Sequence, residues 1–151
     1  MKIILASKSG VRKDILDKHG FQTTVSPSNV DEDQVKEALL EKGADPEIIS
    51  KNLAELKSIK VGAKFPDQLV LGADSVISLN ENLINKPSSR EEAFKILKLL
   101  NGHKHYLISS ACISKNSSMI WNHTDKSELK MKKLSDEELK LYLSKIKTET
   151  L

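Results

Sequence analysis

Short apolar runs alternate along the chain with stretches of helical spacing, a pattern that predicts strands interspersed with helices. The run KIILA at residues 2–6 predicts a first strand. From Ser9 the apolar positions are spaced for a helix that Gly20 can close, and residues 21–26 are typical of a second strand. Strand, tight turn and helix are therefore expected to follow one another at the N-terminus.

Four further helices are predicted from apolar spacing and from capping residues. The helix over 46–64 places Ile49, Leu53, Leu56 and Ile59 on one face, with a Lys-rich face opposite, and Pro46 is acceptable in its first turn. Ser88 and Ser89 each have a Glu three residues later, so either can form a capping box. The other predicted starts are the acidic DEDQ at 31–34, for a helix through Leu40, and Ser135 with Glu138.

The second half of the chain contributes the remaining strand candidates. QLVLGADSVISL holds two β-rich runs around GADS, which suggests a strand that bends or bulges beside a site. Further strands are predicted at 106–113, 118–122 and 128–132. No internal repeat, linker or low-complexity tract is evident, so the sequence predicts a single α/β domain over residues 1–151.

Composition and charge narrow the class of protein. Hydrophobic residues make up 38% and charged residues 30%, which is ordinary for a soluble globular protein. The net charge of +3 comes from scattered residues and aromatic residues are 4%, so nucleic-acid binding is not expected. No apolar run approaches a signal or membrane segment, and the single Cys112 excludes an internal disulfide. A cytoplasmic location is expected.

The segment LASKSGVRK is the first candidate for chemistry. A strand here delivers Ser7, Ser9, Arg12 and Lys13 to a turn at a helix N-terminus. Free backbone N–H groups, the positive helix end and two cations suit a polyphosphate. Any strand-to-helix turn with a capping serine looks similar, so the structural alternative stays open.

Carboxylates form the second candidate. VDED at 30–33 could hold a hard divalent ion together with Asp74, although acidic residues also favour helix N-termini for electrostatic reasons alone. Asp74 interrupts an apolar strand region, so its carboxylate must be paired, metal-bound or exposed at an edge. Lys86, aimed by Pro87 in a turn, can hold phosphate, yet most loop lysines are merely solvated.

The order of these motifs resembles that of the Maf family of nucleoside triphosphate pyrophosphatases. LASxS, basic residues, DE, a helical Lys, GAD, KP and GxxH follow one another in that order, and LASKS, GADSVI and INKPSSREEA are the most specific parts. The resemblance covers essentially the whole chain. It implies an α/β fold with a mixed twisted sheet flanked by helices, Maf/ITPase-like, in which two lobes flank a nucleotide cleft.

The resemblance also implies an activity and its residues. Such enzymes hydrolyse modified or noncanonical nucleotides to nucleoside monophosphate and pyrophosphate with Mg²⁺ or Mn²⁺, are associated with septum formation, and typically form homodimers. Asp74 would be the proton acceptor, and Glu32 would hold metal with it. The residues implied to bind phosphate are Ser7, Arg12, Lys13, Lys57 and Lys86.

Two departures from the family pattern are visible. SGVRK stands where the family usually has SPRRR, so Gly10 replaces a proline and Val11 replaces an arginine. The family usually continues through a Gly-rich C-terminal segment that is expected to be missing here. The alternative expectation is therefore a catalytically degenerate relative that binds nucleotides or acts in division control.

Overall fold

The computed structural model of the chain describes residues 1–146 and has the predicted α/β fold. The strands of this part of the chain are β1 (Lys2–Leu5), β2 (Gln22–Val25), β3 (Val70–Leu79), β4 (Asn82–Ile84), β5 (Lys104–Lys115) and β6 (Ser118–Lys130). Its helices are α1 (Gly10–Lys18), α2 (Glu32–Glu41), α3 (Pro46–Gly62), α4 (Arg90–Leu100) and α5 (Asp136–Ser144). Residues 147–151 lie outside the described part. The expectation that a C-terminal segment is missing concerns this end of the chain and stays a prediction.

The sheet is mixed, as predicted. Its strand order is β2-β1-β3-β5-β6, with β4 beside β3. β1 runs parallel to both β2 and β3, whereas β4 is antiparallel to β3. Ile4 and Leu5 of β1 are in register with Val70 and Leu71 of β3, so the residues that follow each of these pairs lie side by side.

The chain divides into two compact units. The first comprises Met1–Ser75 with Ile108–Asp125, and the second comprises Val76–Leu107 with the residues from Lys126 on. The expected single domain over 1–151 stays a prediction. None of the helices in residues 1–146 is both long and apolar enough to cross a membrane.

The core of the first unit lies between β1, β3 and the buried face of α3. Ile4, Val61 and Val70 pack together there with little or no exposure. The predicted apolar face of α3 is partly wrong, because Leu56 is 38% exposed while Lys57 is buried. Apolar spacing cannot predict this rotation, since the buried face also carries polar side chains that find partners on β3.

The two β-rich runs around GADS belong to one strand, since β3 continues through these residues without interruption. Gly72 has a packing role within it. A Cβ atom at Gly72 would lie 2.1 Å from the carbonyl oxygen of Ala54 and 2.7 Å from the amide nitrogen of Ser58. Gly72 therefore allows α3 to approach the backbone of β3.

β6 is likewise one strand where the sequence predicted two. The polar segment between the two predicted runs suggested a loop, but β6 lies at an edge of the sheet and nearly all of its side chains are exposed. Polar residues are tolerated in a strand whose faces meet solvent, so the interruption in hydrophobicity does not interrupt the strand.

The second unit contains a pair of packed helices with well-formed ends. Ser89, rather than Ser88, caps α4 by accepting from the Glu92 amide. Arg90 at the start of α4 donates to the carbonyl oxygens of Leu143 and Ile146, both at 2.6 Å, and so satisfies the C-terminal end of α5. The helix start predicted at Ser135 with Glu138 is confirmed, and the two residues form a capping box.

We expect Ser135→Ala to lower the free energy of unfolding by about 1 kcal/mol, the usual effect of losing an N-cap side chain. The Ser135 hydroxyl accepts from the Glu138 amide at 3.2 Å, and alanine leaves that donor without its protein partner. Urea unfolding checks this. Ser144→Ala at the other end of the same helix is the control, and an equal loss there would contradict a role for the cap.

Candidate active site

The turn between β1 and α1 is built around two serine hydroxyls. Ser9 is the N-cap of α1, and its hydroxyl accepts from the Arg12 amide at 3.3 Å. The Ser7 hydroxyl accepts from the Ser9 amide at 3.2 Å and from Arg12 Nη1 at 2.9 Å. The predicted turn at a helix N-terminus is confirmed. Arg12, the first of the two predicted cations, is hydrogen-bonded to the Ser7 hydroxyl in this turn.

Arg12 also joins this turn to the neighbouring strand. Its Nη1 donates to the carbonyl oxygen of Ala73 at 3.2 Å, and its Nη2 lies 3.5 Å from the Ser75 hydroxyl. That hydroxyl is 2.9 Å from the hydroxyl of Ser109 on β5. The guanidinium thus contacts Ala73 and Ser75, the residues before and after Asp74. It can reach them because β1 and β3 are adjacent and parallel.

Lys57 lies at the centre of the carboxylate cluster. Its ammonium group donates to Asp74 Oδ1 at 3.1 Å, forms an ion pair with Glu32 Oε1, and lies 3.4 Å from the carbonyl oxygen of Ala73. Lys57 is 8% exposed and Asp74 is 5% exposed. Three residues from α2, α3 and β3 that the sequence placed far apart therefore meet at one point.

The environment of Asp74 opposes its charged form. Burial raises the pKa of the Asp74 carboxyl, the Lys57 ammonium partly offsets this, and Glu32 raises it further. Oδ2 of Asp74 is buried and accepts no hydrogen bond from residues 1–146. A carboxylate with a raised pKa and one unused oxygen is a stronger proton acceptor than an exposed aspartate.

A divalent metal fits these residues. Magnesium is usually bound in proteins by one or two carboxylates together with substrate phosphates, and Glu32 and Asp74 supply two carboxylates around one cation. The unused Oδ2 of Asp74 is a further hard oxygen donor. No larger cluster of His, Cys, Asp or Glu suited to a metal occurs in residues 1–146, so substrate oxygens would have to complete the coordination.

Two predicted phosphate ligands have other surroundings. Lys13 pairs with Asp17 one turn further along α1, so its ammonium has a carboxylate partner on its own helix. Lys86 belongs to the second unit, where it follows β4 and lines a cavity of about 280 Å³ together with Glu92 and Lys95. Their roles toward phosphate stay predictions.

Ser50 is a site residue that sequence reasoning missed. Its hydroxyl is fully buried and donates to the main-chain oxygen of Asp74 at 3.2 Å, which fixes the strand at this residue. Ser50 precedes Lys57 by two helical turns, so both lie on one face of α3. The available signal for Ser50 was its spacing from Lys57, which places two polar residues on the same helix face as several apolar ones.

A solved structure with a similar fold agrees with this architecture. The Ham1 protein of Staphylococcus aureus superposes with a TM-score of 0.51 at 16% identity, covering 85% of this chain and 70% of that one. The fold and the cluster together define an α/β protein whose first unit gathers hydroxyls, two cations and two carboxylates at the junction of β1 and β3.

Comparison of sequences gives the family. The family model described as Maf-like protein matches residues 2–150, and the chain therefore belongs to the Maf-like family. The nucleoside triphosphate pyrophosphatase of Pelagibacter ubique is 59% identical over 99% of this chain and 77% of that protein. The predicted family is confirmed.

More distant relatives carry more specific names. The dTTP/UTP pyrophosphatase of Pyrococcus furiosus is 36% identical over 95% of this chain and 71% of its own length. The 7-methyl-GTP pyrophosphatase of Rhizobium etli is 32% identical over 96% of this chain and 73% of its own length. Relatives named for different bases thus lie at similar distances from this chain.

Proposed function

We propose that the chain is a nucleoside triphosphate pyrophosphatase, which hydrolyses its substrate to nucleoside monophosphate and pyrophosphate. The observation that carries the proposal is the cluster in which Lys57 joins Glu32 to the buried Asp74, beside the turn that holds Arg12. The names of the relatives, above all the one at 59% identity, agree with this activity.

The phosphates are bound by the β1–α1 turn. Ser7 and Arg12 face each other at 2.9 Å and offer a hydroxyl and a delocalised cation, while the N-terminal end of α1 contributes its positive dipole. Lys13 and Lys57 add charge against the polyphosphate, and the role of Lys86 toward phosphate stays a prediction. Lys13 contributes less than Arg12, because its ammonium is paired with Asp17.

Asp74 acts as the proton acceptor. Water oxygen forms a bond to the α-phosphorus, its proton passes to Asp74, and the bond from the α-phosphorus to the bridging oxygen breaks, so that pyrophosphate leaves. Burial favours this role because it raises the pKa of Asp74. Glu32 and Asp74 would hold Mg²⁺ or Mn²⁺, which would supply positive charge against the phosphoryl oxygens.

Hydrolysis in ¹⁸O-water tests which bond is cleaved. Attack at the α-phosphorus places the label in the nucleoside monophosphate, and we expect unlabelled pyrophosphate as the second product. Nucleoside diphosphate with labelled inorganic phosphate would show attack at the γ-phosphorus and would refute the proposal, although the chain would remain a hydrolase.

Arg12→Lys should raise KM for the triphosphate by about tenfold or more, because lysine keeps the charge but cannot reproduce the planar fork with which a guanidinium binds phosphate through two nitrogens. In the structure Nη1 of the guanidinium donates to the Ser7 hydroxyl and the Ala73 carbonyl oxygen, and Nη2 lies 3.5 Å from the Ser75 hydroxyl. Steady-state kinetics check this. Lys18→Met, which removes a charge from the last turn of the same helix, is the control.

A degenerate relative without turnover is the second candidate. Val11, which stands where the family usually has arginine, is 69% exposed, so a cation is absent from an accessible position on α1. Nucleotide binding without product release would favour this candidate. A homodimer and a cytoplasmic location stay predictions, which light scattering and cell fractionation would test.

A further inference from the structure

We propose that Lys57 is an internal counter-ion, whose ammonium group holds the cation position between Glu32 and Asp74 until a divalent metal replaces it. On metal binding the ammonium leaves the carboxylates and becomes available to the substrate phosphates. This inference rests on the proposed function, because it concerns the same carboxylates, and it adds an order of events that the composition of the site does not specify.

The hydrogen bonds of Lys57 are the first argument. An ammonium group has three N–H donors, and Lys57 has three acceptors around it: Glu32, Asp74 and the carbonyl oxygen of Ala73. With this set of partners no donor remains for a phosphate oxygen. Lys57 must therefore give up at least one of these three acceptors before it can contact the substrate.

Charge is the second argument. Two carboxylates lie around one ammonium group, and Asp74 with Lys57 is almost completely buried. A buried carboxylate loses stability without a cation beside it, so a cation between Glu32 and Asp74 stabilises the charged form of Asp74. A divalent ion and an ammonium group at the same carboxylates would repel each other at close range, and one therefore displaces the other.

Mobility is the third argument. The lysine side chain is a compact charge on a flexible stem, whereas the guanidinium of Arg12 is held by the hydroxyl of Ser7 and the carbonyl of Ala73. Of these two cations only Lys57 is bonded to the two candidate metal ligands. It is the cation that can move when those ligands are taken up by metal.

Titration of nucleotide-free protein with Mn²⁺, followed by electron paramagnetic resonance, tests the exchange. We expect Lys57→Met to bind Mn²⁺ roughly tenfold or more tightly than the wild type, because the competing charge is gone. Lys57→Arg keeps a competing cation and should bind no more tightly than the wild type. Lys51→Met removes a half-exposed charge from the same helix and should change nothing.

Equal or weaker binding by Lys57→Met would overturn the inference, and so would the lack of Mn²⁺ binding by every variant. If the metal-free Met variant is unfolded, its folding on addition of Mn²⁺ is the expected result. If the variant stays unfolded even with Mn²⁺, the exchange is tested in the wild type instead. Acetylation of Lys57 relative to Lys51 is then measured by mass spectrometry with and without Mn²⁺. Saturating Mn²⁺ should increase acetylation of Lys57, and an unchanged or lower value would refute the exchange.

These measurements separate the inference from the proposed function, since neither uses a nucleotide. Metal-dependent release of Lys57 in a protein that forms no pyrophosphate would support the exchange and contradict the proposed activity. Normal pyrophosphate release by the wild type, with no gain in Mn²⁺ affinity for Lys57→Met, would support the proposed activity and contradict the exchange.

Discussion

Gly72→Ala should lower the free energy of unfolding by about 3 kcal/mol or more, the upper part of the range for overpacked cores. The added Cβ would meet the carbonyl oxygen of Ala54 at 2.1 Å and the amide nitrogen of Ser58 at 2.7 Å. Both are backbone atoms of α3, so no flexible side chain can move aside. The helix must shift away from β3 as a whole.

A loss of this size corresponds to a fall in Tm of about 10 °C for a chain of this length, which thermal unfolding would measure. Gly10→Ala is the matched control, because Gly10 has no neighbouring atom within 4 Å of the added Cβ. It should leave Tm unchanged or raise it slightly. If Gly72→Ala were as harmless as Gly10→Ala, the close approach of α3 to β3 would be wrong.

Asp74→Asn should lower kcat for pyrophosphate release by about a thousandfold, within the range attributed to a general base. Asparagine has nearly the same shape but cannot accept the proton from water, and it weakens the attraction for both the metal and Lys57. Asp136→Asn, in the first turn of α5, makes the same chemical change at an exposed ion pair and should leave kcat unchanged.

The fold of the Asp74 variant must be checked in parallel by circular dichroism, because Asp74 is buried with Lys57. If the folded variant keeps more than about a tenth of wild-type activity, the loss is too small for the removal of a general base. That result would remove Asp74 from the role of proton acceptor while leaving the phosphate-binding turn in place.

Local signals were sufficient for much of the fold. The caps formed by Ser9, Ser89 and Ser135 lie where serine precedes helical spacing, because a hydroxyl at an N-cap depends only on its own turn. One break was placed wrongly, because the polar segment between two predicted strands remains part of β6, which lies at an edge of the sheet. The role of Gly72 in the approach of α3 to β3 depends on packing between elements, which local signals do not contain.

The site was harder to predict, since its parts come together only through tertiary packing. Sequence motifs indicated Glu32, Asp74 and Arg12 as candidates and the family resemblance implied Lys57, but the apolar spacing predicted a Lys-rich face of α3 opposite the core. Burial of that lysine depends on two carboxylates from other elements, which apolar periodicity does not detect. Ser50 went unnoticed for the same reason, because its partner is a main-chain oxygen of β3.

Pyrophosphate release is the measurement that tests the central claim most directly. The 151-residue chain would be incubated with dTTP, UTP, CTP and 7-methyl-GTP in the presence of Mg²⁺ or Mn²⁺, and both products would be quantified. We predict equal amounts of pyrophosphate and nucleoside monophosphate from at least one of these substrates. A folded chain that binds nucleotide but releases no pyrophosphate from any of them would contradict the account.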